Sequence, residues 1–192
     1  MNIIDIISAA LGLTVVVLAG RRSKYNFWVG YAYNIFLFML FWKQRLFAAM
    51  ILQPVAFAIN MFGHWRWTHP RSEERSGEDG LLKVSALGLR QVALLLAAVA
   101  VFGALWGYVL KTWTSDPLPW LDSYVLMLTF LAQYLSAQKK WECWIVWLVV
   151  NVCNMTLYLK SGLVFMPMVS ALYLINGVWS LYSWKKSYEN ER

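Results

Sequence analysis

The sequence predicts an all-α polytopic membrane protein with seven transmembrane helices, and composition, hydropathy and charge placement each support this. Hydrophobic residues make up 60% of the 192 residues, whereas charged residues make up only 14%. An average soluble domain is about 25% charged, so this chain lacks the polar surface that a water-soluble protein needs. The mean hydropathy is +0.50. A lipid bilayer is therefore the expected solvent, and membrane lipid an expected partner.

The apolar residues fall into seven runs that are separated by short charged clusters. A transmembrane helix needs about 20 mostly apolar residues, and the runs come close to that length. In chain order the predicted helices are 3–20, 27–42, 46–67, 91–110, 120–137, 143–159 and 163–184. No Lys or Arg precedes the first run, while Arg21 and Arg22 follow it, so we interpret it as a retained helix and not as a signal peptide.

Basic residues are distributed unevenly between the two ends of these helices. If the helices alternate in direction, 13 of the 17 basic residues fall at one end, and only Lys43, Arg45, Lys111 and Lys160 at the other. Lys and Arg accumulate on the cytoplasmic side of a membrane, so we expect the amino terminus outside and the carboxyl terminus in the cytoplasm. Topology thus explains the net charge of +7, and no nucleic-acid partner is expected.

A weak internal repeat divides the chain. A shift of 117 positions pairs Asn34 with Asn151, Lys43 with Lys160 and Trp67 with Trp184. We interpret this as two parallel three-helix repeats, residues 1–67 and 120–186, joined by a cytoplasmic linker, 68–90, and a connecting helix, 91–110. Transporters built from such repeats bind substrate near the membrane midplane, where the repeats meet. The alternative is chance similarity among apolar, aromatic-rich helices.

The connecting helix carries a GxxxG element formed by Gly103 and Gly107. This spacing lets two helix backbones approach closely, and it is equally compatible with packing inside the chain and between subunits. The two cysteines, Cys143 and Cys153, are too few for a disulfide framework or a thiolate metal site. No metal and no cofactor are expected.

The sixth predicted helix carries a polar and aromatic stripe. At about 100° per residue, Trp144, Trp147, Asn151 and Tyr158 fall within a sector of roughly 60°. Indole and phenol rings can stack on a flat heteroaromatic ligand and attract a cation, while the Asn amide can orient the ligand by hydrogen bonds. The alternative is an interfacial Trp belt together with an Asn that bonds a neighbouring helix.

Other predicted helices place polar side chains on shared faces in a similar way. Because polar groups in hydrocarbon are costly, those retained should face one another, a cavity or a substrate. Taken singly, each is more often a helix-to-helix hydrogen bond, but recurrence in both halves favours a polar internal cavity. The additional candidate substrate-binding residues are Asn34, Gln53, Asn60, Gln133, Tyr173 and Asn176.

The pattern Trp144-x-x-Trp147-x-x-x-Asn151, with Tyr158 seven residues later, resembles the signature of the PnuC-type vitamin transporters. The surrounding segments, such as Leu121-Asp122-Ser123, Lys160-Ser161-Gly162-Leu163 and Tyr25-Asn26-Phe27-Trp28, are also similar to that family. The resemblance implies that the four signature residues and Gln133 bind substrate. Cys143 is a departure, because the family often has Asn there.

The resemblance further implies a three-plus-one-plus-three helix fold and a homotrimer in a bacterial inner membrane. It implies facilitated diffusion of a small molecule, nicotinamide riboside, with trapping by intracellular phosphorylation. Thiamine, riboflavin and deoxynucleosides are the alternative substrates within the family. The proposed aromatic cage suits the cationic rings of nicotinamide riboside and thiamine alike.

The sequence favours an uncoupled transporter over an enzyme or a pump. It contains no GxxxxGK[ST] loop for ATP and neither the HExxH nor the GxSxG motif of hydrolases. The acids within the predicted spans are Asp5 and Asp122, both near the outer ends, whereas ion coupling usually needs a deeper ionisable site. An intramembrane enzyme and a purely structural subunit are the rival interpretations.

Overall fold

Helices account for nearly all of the chain that is described. The computed structural model describes residues 3–43, 47–76, 79–115, 117–160 and 165–191, with side chains for all of these except 3–6, 8, 9, 47–49, 51, 157, 158, 160 and 165–167. Within these residues the helices are α1 (Ile3–Gly20), α2 (Tyr25–Lys43), α3 (Phe47–Thr68), α4 (Leu89–Trp113), α5 (Pro119–Ala137), α6 (Cys143–Lys160) and α7 (Phe165–Asn190). A short 3-10 turn, Ser72–Glu74, follows α3.

The seven predicted helices are confirmed, and their ends differ from prediction mainly where a helix leaves the apolar segment. α1 has the predicted bounds because Arg21 and Arg22 end its apolar run. α7 instead continues past Trp184 through Lys185 and Lys186 to Asn190. Lys is a good helix former, so a helix can extend into water beyond the residues that hydropathy detects.

Six of the seven helices pack into a closed ring. Within the described residues, α1, α2 and α3 pack in sequence, α5, α6 and α7 do the same, and the ring closes where α3 meets α5 and α7 meets α1. α4 lies outside the ring, and within the described part of the chain α5 is the only helix on which it packs. This arrangement is consistent with the predicted three-plus-one-plus-three organisation.

α4 docks on α5 through its two small residues. Gly103 and Gly107 are buried, and a methyl group added at either position would collide with the ring of Tyr124 or Trp120. The Ser123 hydroxyl donates a 2.6 Å hydrogen bond to the Gly103 carbonyl. The GxxxG element therefore packs within the chain.

The remaining surface of α4 is apolar and exposed. Among the described helices, only Leu89–Trp113 is long and apolar enough to cross a membrane by length and composition, with a mean hydropathy of 2.3 over its most apolar part. Only 11% of that part is buried. Such a surface is stable in hydrocarbon and not in water.

The corners between α1 and α2 and between α5 and α6 have the same backbone. Arg22 and Lys139, which are 117 positions apart, both adopt left-handed conformations, with φ of 59° and 52°. The Arg22 amide donates to Ala19 O at 2.9 Å, and the Lys139 amide donates to Ser136 O at 3.0 Å. In the same way, the Ser23 amide donates to Leu18 O and the Lys140 amide donates to Leu135 O, and these acceptors are also 117 positions apart.

A pair of tryptophans, Trp67 of α3 and Trp184 of α7, meets at the centre of the same end of the bundle. Their ring centroids are 5.8 Å apart, and both side chains are fully buried. Trp67 Nε1 donates to Ser136 O at 3.1 Å, and Trp184 Nε1 donates to Ala19 O at 3.2 Å. Donors and acceptors are again 117 positions apart, so the two bonds are equivalent by the repeat.

We call this end of the bundle the linker end, because the segment between α3 and α4 folds back across it. The Leu82 amide donates to Trp67 O at 3.0 Å, and Leu82 and Val84 are buried. Farther along, the Ser85 amide donates to Lys139 O and the Ser85 carbonyl accepts from the Trp141 amide. The linker is therefore fixed to both halves of the ring.

The basic residues of the described chain gather at the linker end, with only Lys43, Lys111 and Lys160 at the opposite end, which we call the far end. Lys139 is almost fully buried, with its Nζ 4.7 Å from the centre of the Trp67 ring. Arg66 and Glu74 form a 2.7 Å ion pair. That hydrogen bond, aided by the charges of Arg66 and Arg71, lowers the pKa of the Glu74 carboxyl below its usual 4.5.

Candidate substrate-binding site

Asn34 and Asn151 occupy equivalent positions near the middle of α2 and α6. Asn151 is buried, and its Nδ2 donates to the carbonyl of Trp147 at 2.8 Å, one turn earlier in the same helix. Among the described residues, the Asn151 side-chain oxygen has no hydrogen-bond donor, and the half-buried Asn34 amide makes no hydrogen bond. Their mid-depth placement is where a transporter built from parallel repeats binds its substrate.

Trp147 and Gln133 lie on adjacent helices, α6 and α5. The Trp147 Nε1 donates to the Ser136 hydroxyl at 3.3 Å, which fixes the half-buried indole against α5. Gln133 is also half-buried, and its amide has no partner among the described residues. An unpaired amide in a membrane protein is costly unless water or a ligand reaches it, so Gln133 is suited to bind a polar substrate.

A cavity of about 170 Å³ lies between α2 and α3. Its lining includes the polar residues Asn34 and Gln53 and the aromatic residues Phe38 and Phe57. Sites for drug-sized ligands usually measure about 300–1,000 Å³, so this cavity is too small to be a complete binding site. It brings together two predicted residues of the first half, Asn34 and Gln53.

Asn60 and Asn176 make hydrogen bonds between helices. Asn60 Nδ2 of α3 donates to Phe27 O of α2 at 3.1 Å, and Asn176 Nδ2 of α7 lies 3.3 Å from both Val16 O of α1 and the Ser180 hydroxyl. These bonds correspond to the alternative that the sequence left open for such residues. A role for either residue toward substrate stays a prediction.

Trp144 lies deeper toward the linker end than Trp147. It is 2% exposed and packs edge-on against Trp184, with ring centroids 5.6 Å apart. The corresponding contact in the first half is between Phe27 and Trp67, at 4.9 Å. Trp144 therefore belongs to the packed centre of this end in the structure, and substrate contact by its ring stays a prediction.

Two tyrosines from different helices converge on Gly12 of α1. A Cβ at Gly12 would lie 2.7 Å from the hydroxyl oxygen of Tyr173 and 3.3 Å from the ring of Tyr33. Tyr173 is a predicted site residue, whereas Tyr33 was not singled out; the small Gly12 in an apolar helix was the only sequence signal for it. The side chain of Tyr158 lies outside the described residues.

The predicted residues around the two central asparagines supply amides, phenols and indoles without formal charge. Asp122 lies in the first turn of α5, at the far end, and His64 lies near the linker end, with its Nδ1 2.9 Å from the Tyr31 hydroxyl. Among the described residues, no three His, Cys, Asp or Glu side chains are grouped as a metal site. The arrangement can stack a flat ring and orient it by hydrogen bonds.

Two three-helix halves that close a ring, with the amides of Asn34 and Asn151 near mid-depth, are consistent with a membrane transporter built from parallel repeats. The sequence pattern of one family, described as nicotinamide mononucleotide transporter, matches residues 2–186. The chain belongs to this family and is a transporter of the PnuC type.

Several bacterial relatives agree with this assignment. The chain is 29% identical to the nicotinamide riboside transporter PnuC of Neisseria mucosa, over 94% of this chain and 71% of the relative. It is 26% identical to the riboflavin/roseoflavin transporter RibM of Streptomyces davaonensis, over 94% and 83% of the two chains. A crystal structure of the vitamin B3 transporter PnuC superposes with a TM-score of 0.75 at 24% identity, covering 97% of this chain and 82% of that one. That likeness establishes the fold.

Proposed function

We propose that the protein is a facilitator that carries nicotinamide riboside across a bacterial inner membrane. The observation that carries the proposal is a set of incompletely hydrogen-bonded amides: Asn34 and Asn151 lie near mid-depth, and Gln133 lies nearer the linker end, as does the ring of Trp147. The substrate has a flat cationic ring, a carboxamide and a ribose. Stacking on Trp147 would stabilise the ring, and the amides would pair with the carboxamide and hydroxyl groups.

Riboflavin is the second candidate substrate, because a riboflavin/roseoflavin transporter aligns with 94% of this chain. Its isoalloxazine ring is flat but uncharged, so it would gain stacking energy from Trp147 without the cation–π contribution. Thiamine and deoxynucleosides are further alternatives from the family resemblance. A direct competition between a cationic and a neutral ring separates these candidates.

The proposed transport is uncoupled. Asp122 lies near the far end of α5, away from the central asparagines, and the predicted site residues have no carboxylate. Ion-coupled transporters usually place ionisable or multi-oxygen sites deep in the membrane. Net uptake would then depend on phosphorylation of the substrate inside the cell by a separate enzyme, which prevents its return.

The proposed orientation places the linker end in the cytoplasm, because the basic residues of the described chain gather there. The contact between Trp67 and Trp184 closes the centre of this end, so substrate release would require the two halves to separate there. Division into repeats at residues 1–67 and 120–186, and assembly as a homotrimer, are parts of the same proposal.

Uptake by reconstituted vesicles tests the function directly. Vesicles that contain the protein and no energy source should accumulate labelled nicotinamide riboside only until the inside and outside concentrations are equal. Inclusion of a nicotinamide riboside kinase and ATP inside the vesicles should raise the accumulated label above that limit. Accumulation above equilibrium without the kinase would contradict uncoupled transport. Uptake of riboflavin but not of nicotinamide riboside would show that riboflavin is the substrate instead.

A matched pair of variants on α6 controls for folding. Asn151→Leu should slow uptake, because it removes an amide from the proposed site. Thr156→Leu changes an exposed polar residue on the same helix, whose hydroxyl bonds only to Val152 O of its own helix at 3.0 Å. Uptake by the Thr156→Leu variant should match that of the original protein. Equal uptake by all three proteins would remove Asn151 from the site.

A further inference from the structure

A second and larger cavity, of about 470 Å³, lies at the linker end, outside the ring. It is enclosed by the linker, the first turns of α4 and the last turns of α5. None of the predicted substrate-binding residues lines it. The cavity is therefore separate from the proposed transport site.

The polar wall of this cavity carries an excess of positive charge. It contains three cationic side chains, Arg66, Lys83 and Lys140, and one anionic side chain, Glu74. The Arg66 guanidinium is paired with Glu74 Oε1 at 2.7 Å, and Lys140 Nζ donates to Ala86 O at 2.9 Å. The Lys83 side chain has no partner among the described residues. The net charge favours an anionic ligand.

One acceptor in the same cavity has no donor. Glu74 Oε2 is enclosed, and no described group donates a hydrogen bond to it. Because this oxygen has almost no accessible surface, a ligand hydroxyl or amine beside an anionic group would reach it only after the Glu74 side chain turns into the cavity, where it would supply the missing donor. The ligand chemistry that fits is thus an anion with an adjacent hydrogen-bond donor.

The opposite wall of the cavity is apolar and continues onto the lipid-facing surface. It is formed by Leu87, Leu94 and Leu95, and Leu94 is 62% exposed on α4. Tyr134 of α5 also lines the cavity. A polar group at one side and hydrocarbon at the other match the headgroup and acyl chains of a phospholipid, and Tyr is typical of that depth.

We infer that this cavity binds one anionic phospholipid with a hydroxyl-bearing headgroup, from the membrane leaflet at the linker end. Lys83 and Lys140 contact the phosphate, the headgroup hydroxyl donates to the Glu74 carboxylate, which turns toward it, and the acyl chains lie along Leu94 and Leu95. The apolar wall favours the lipid over the soluble headgroup alone.

Binding measured by native mass spectrometry in detergent tests this assignment with three probes. Phosphatidylglycerol should bind, phosphatidylcholine should bind more weakly because its headgroup has neither a net negative charge nor a donor, and glycerol phosphate should bind least because it has no acyl chains. Equal affinity for phosphatidylglycerol and phosphatidylcholine would overturn the assignment. Glycerol phosphate that binds as tightly as the lipid would make the cavity a site for soluble anions instead.

Lys83 offers the most direct test, because its side chain has no hydrogen-bond or ion-pair partner among the described residues. Lys83→Gln should weaken phosphatidylglycerol binding about five-fold, the effect of roughly one basic residue on an anionic lipid, and Lys83→Arg should preserve it. Lys186→Gln, at an exposed position of α7 outside the cavity, is the matched control and should have no effect. An unchanged affinity in Lys83→Gln would refute the headgroup contact.

A second variant tests the apolar wall without changing charge. Leu94 lies on the exposed face of α4. Leu94→Gln should weaken phosphatidylglycerol binding and leave glycerol phosphate binding unchanged. Cross-linking from position 83 to a neighbouring subunit in native membranes, in place of a lipid, would show that the cavity is a protein contact and overturn the assignment.

Discussion

The two halves of the ring share a backbone but differ in the side chains that they direct toward the proposed site. The corners at Arg22 and Lys139 have the same left-handed residue and equivalent hydrogen bonds. In the site region, however, the first half carries Val16, Gly30 and Asn34, whereas the positions 117 residues later carry Gln133, Trp147 and Asn151. The duplicated frame is thus nearly symmetric, while the chemistry for ligand binding is concentrated in the second half.

The largest expected effect is a loss of stability when either tryptophan of the buried pair, Trp67 and Trp184, is replaced. Trp67→Ala and Trp184→Ala should each lower the free energy of unfolding by about 3 kcal/mol, because each removes a buried ring and a hydrogen bond to a helix end. Since the two bonds are equivalent, we expect similar losses. Thermal unfolding in detergent measures both, and the double variant should lose less than the sum because the rings contact each other.

If either alanine variant fails to fold, the phenylalanine variants keep the comparison measurable. Trp67→Phe and Trp184→Phe retain most of the ring but remove the donor, at a cost of about 1 kcal/mol each. A large cost at one position and none at the other would contradict the equivalence of the halves.

Asn34 and Asn151 test whether the two halves contribute unequally to substrate binding. Asn151→Leu should weaken substrate binding about ten-fold, the effect of a lost buried hydrogen bond, because Asn151 shares its surroundings with Trp147. Asn34→Leu, its counterpart in the first half, should have a smaller effect because Gly30 offers no ring beside it. Tryptophan fluorescence titration with nicotinamide riboside measures both. Equal losses would mean that the two halves contribute alike.

Trp147 tests whether the ligand's charge matters. Trp147→Leu should weaken binding of a cationic ring about five-fold more than that of a neutral nucleoside, because only the cation gains from the indole face. Ser136→Ala, which removes the hydroxyl that holds the indole N–H, should have a smaller effect of the same kind. Binding assays with both ligand types measure the ratio, and equal losses would exclude a cation–π role.

The smallest effect concerns the ion pair that fastens the linker to the first half. Arg66 lowers the pKa of Glu74, so the pair stabilises the fold above the ordinary carboxyl pKa of 4.5, and this contribution is lost as pH falls through the lowered value. Because the pair is partly exposed, Glu74→Gln should cost only about 0.5 kcal/mol at neutral pH. The unfolding curves of the original protein and of Glu74→Gln should converge at acidic pH. If the difference in stability persists there, the ion pair is not its cause.

Hydropathy and helical spacing predicted most of the fold. The bounds of α1 could be predicted because charged residues end its apolar run, whereas the last turns of α7 could not, since they lie beyond it. The shift of 117 positions pointed to the pairing of Trp67 and Trp184. It could not predict that the two indole side chains contact each other, because that contact depends on how the two halves of the helix ring close.

The site was less accessible to sequence reasoning. Helical spacing placed Trp144, Trp147 and Asn151 on one face, and the structure keeps them on α6, but spacing cannot separate a ring that packs against Trp184 from one that is free to meet a ligand. Tyr33 was missed because its position over Gly12 arises from the packing of α1, α2 and α7. These distinctions depend on partners far apart in the chain.

The linker has a mechanical consequence for any rocking of the two halves. On one side of Val84, the Lys83 amide donates to Glu74 O, in the part of the linker that follows α3. On the other side, Ser85 is hydrogen-bonded to Lys139 and Trp141 of the second half. Rotation between the halves would therefore act on a short hinge around Val84 and on one further bond, since the Ser76 hydroxyl, earlier in the linker, donates to Glu191 Oε1 after α7 at 3.2 Å. A lipid held by Lys83 on one side and Lys140 on the other would span that hinge, so membrane composition would set how freely it turns.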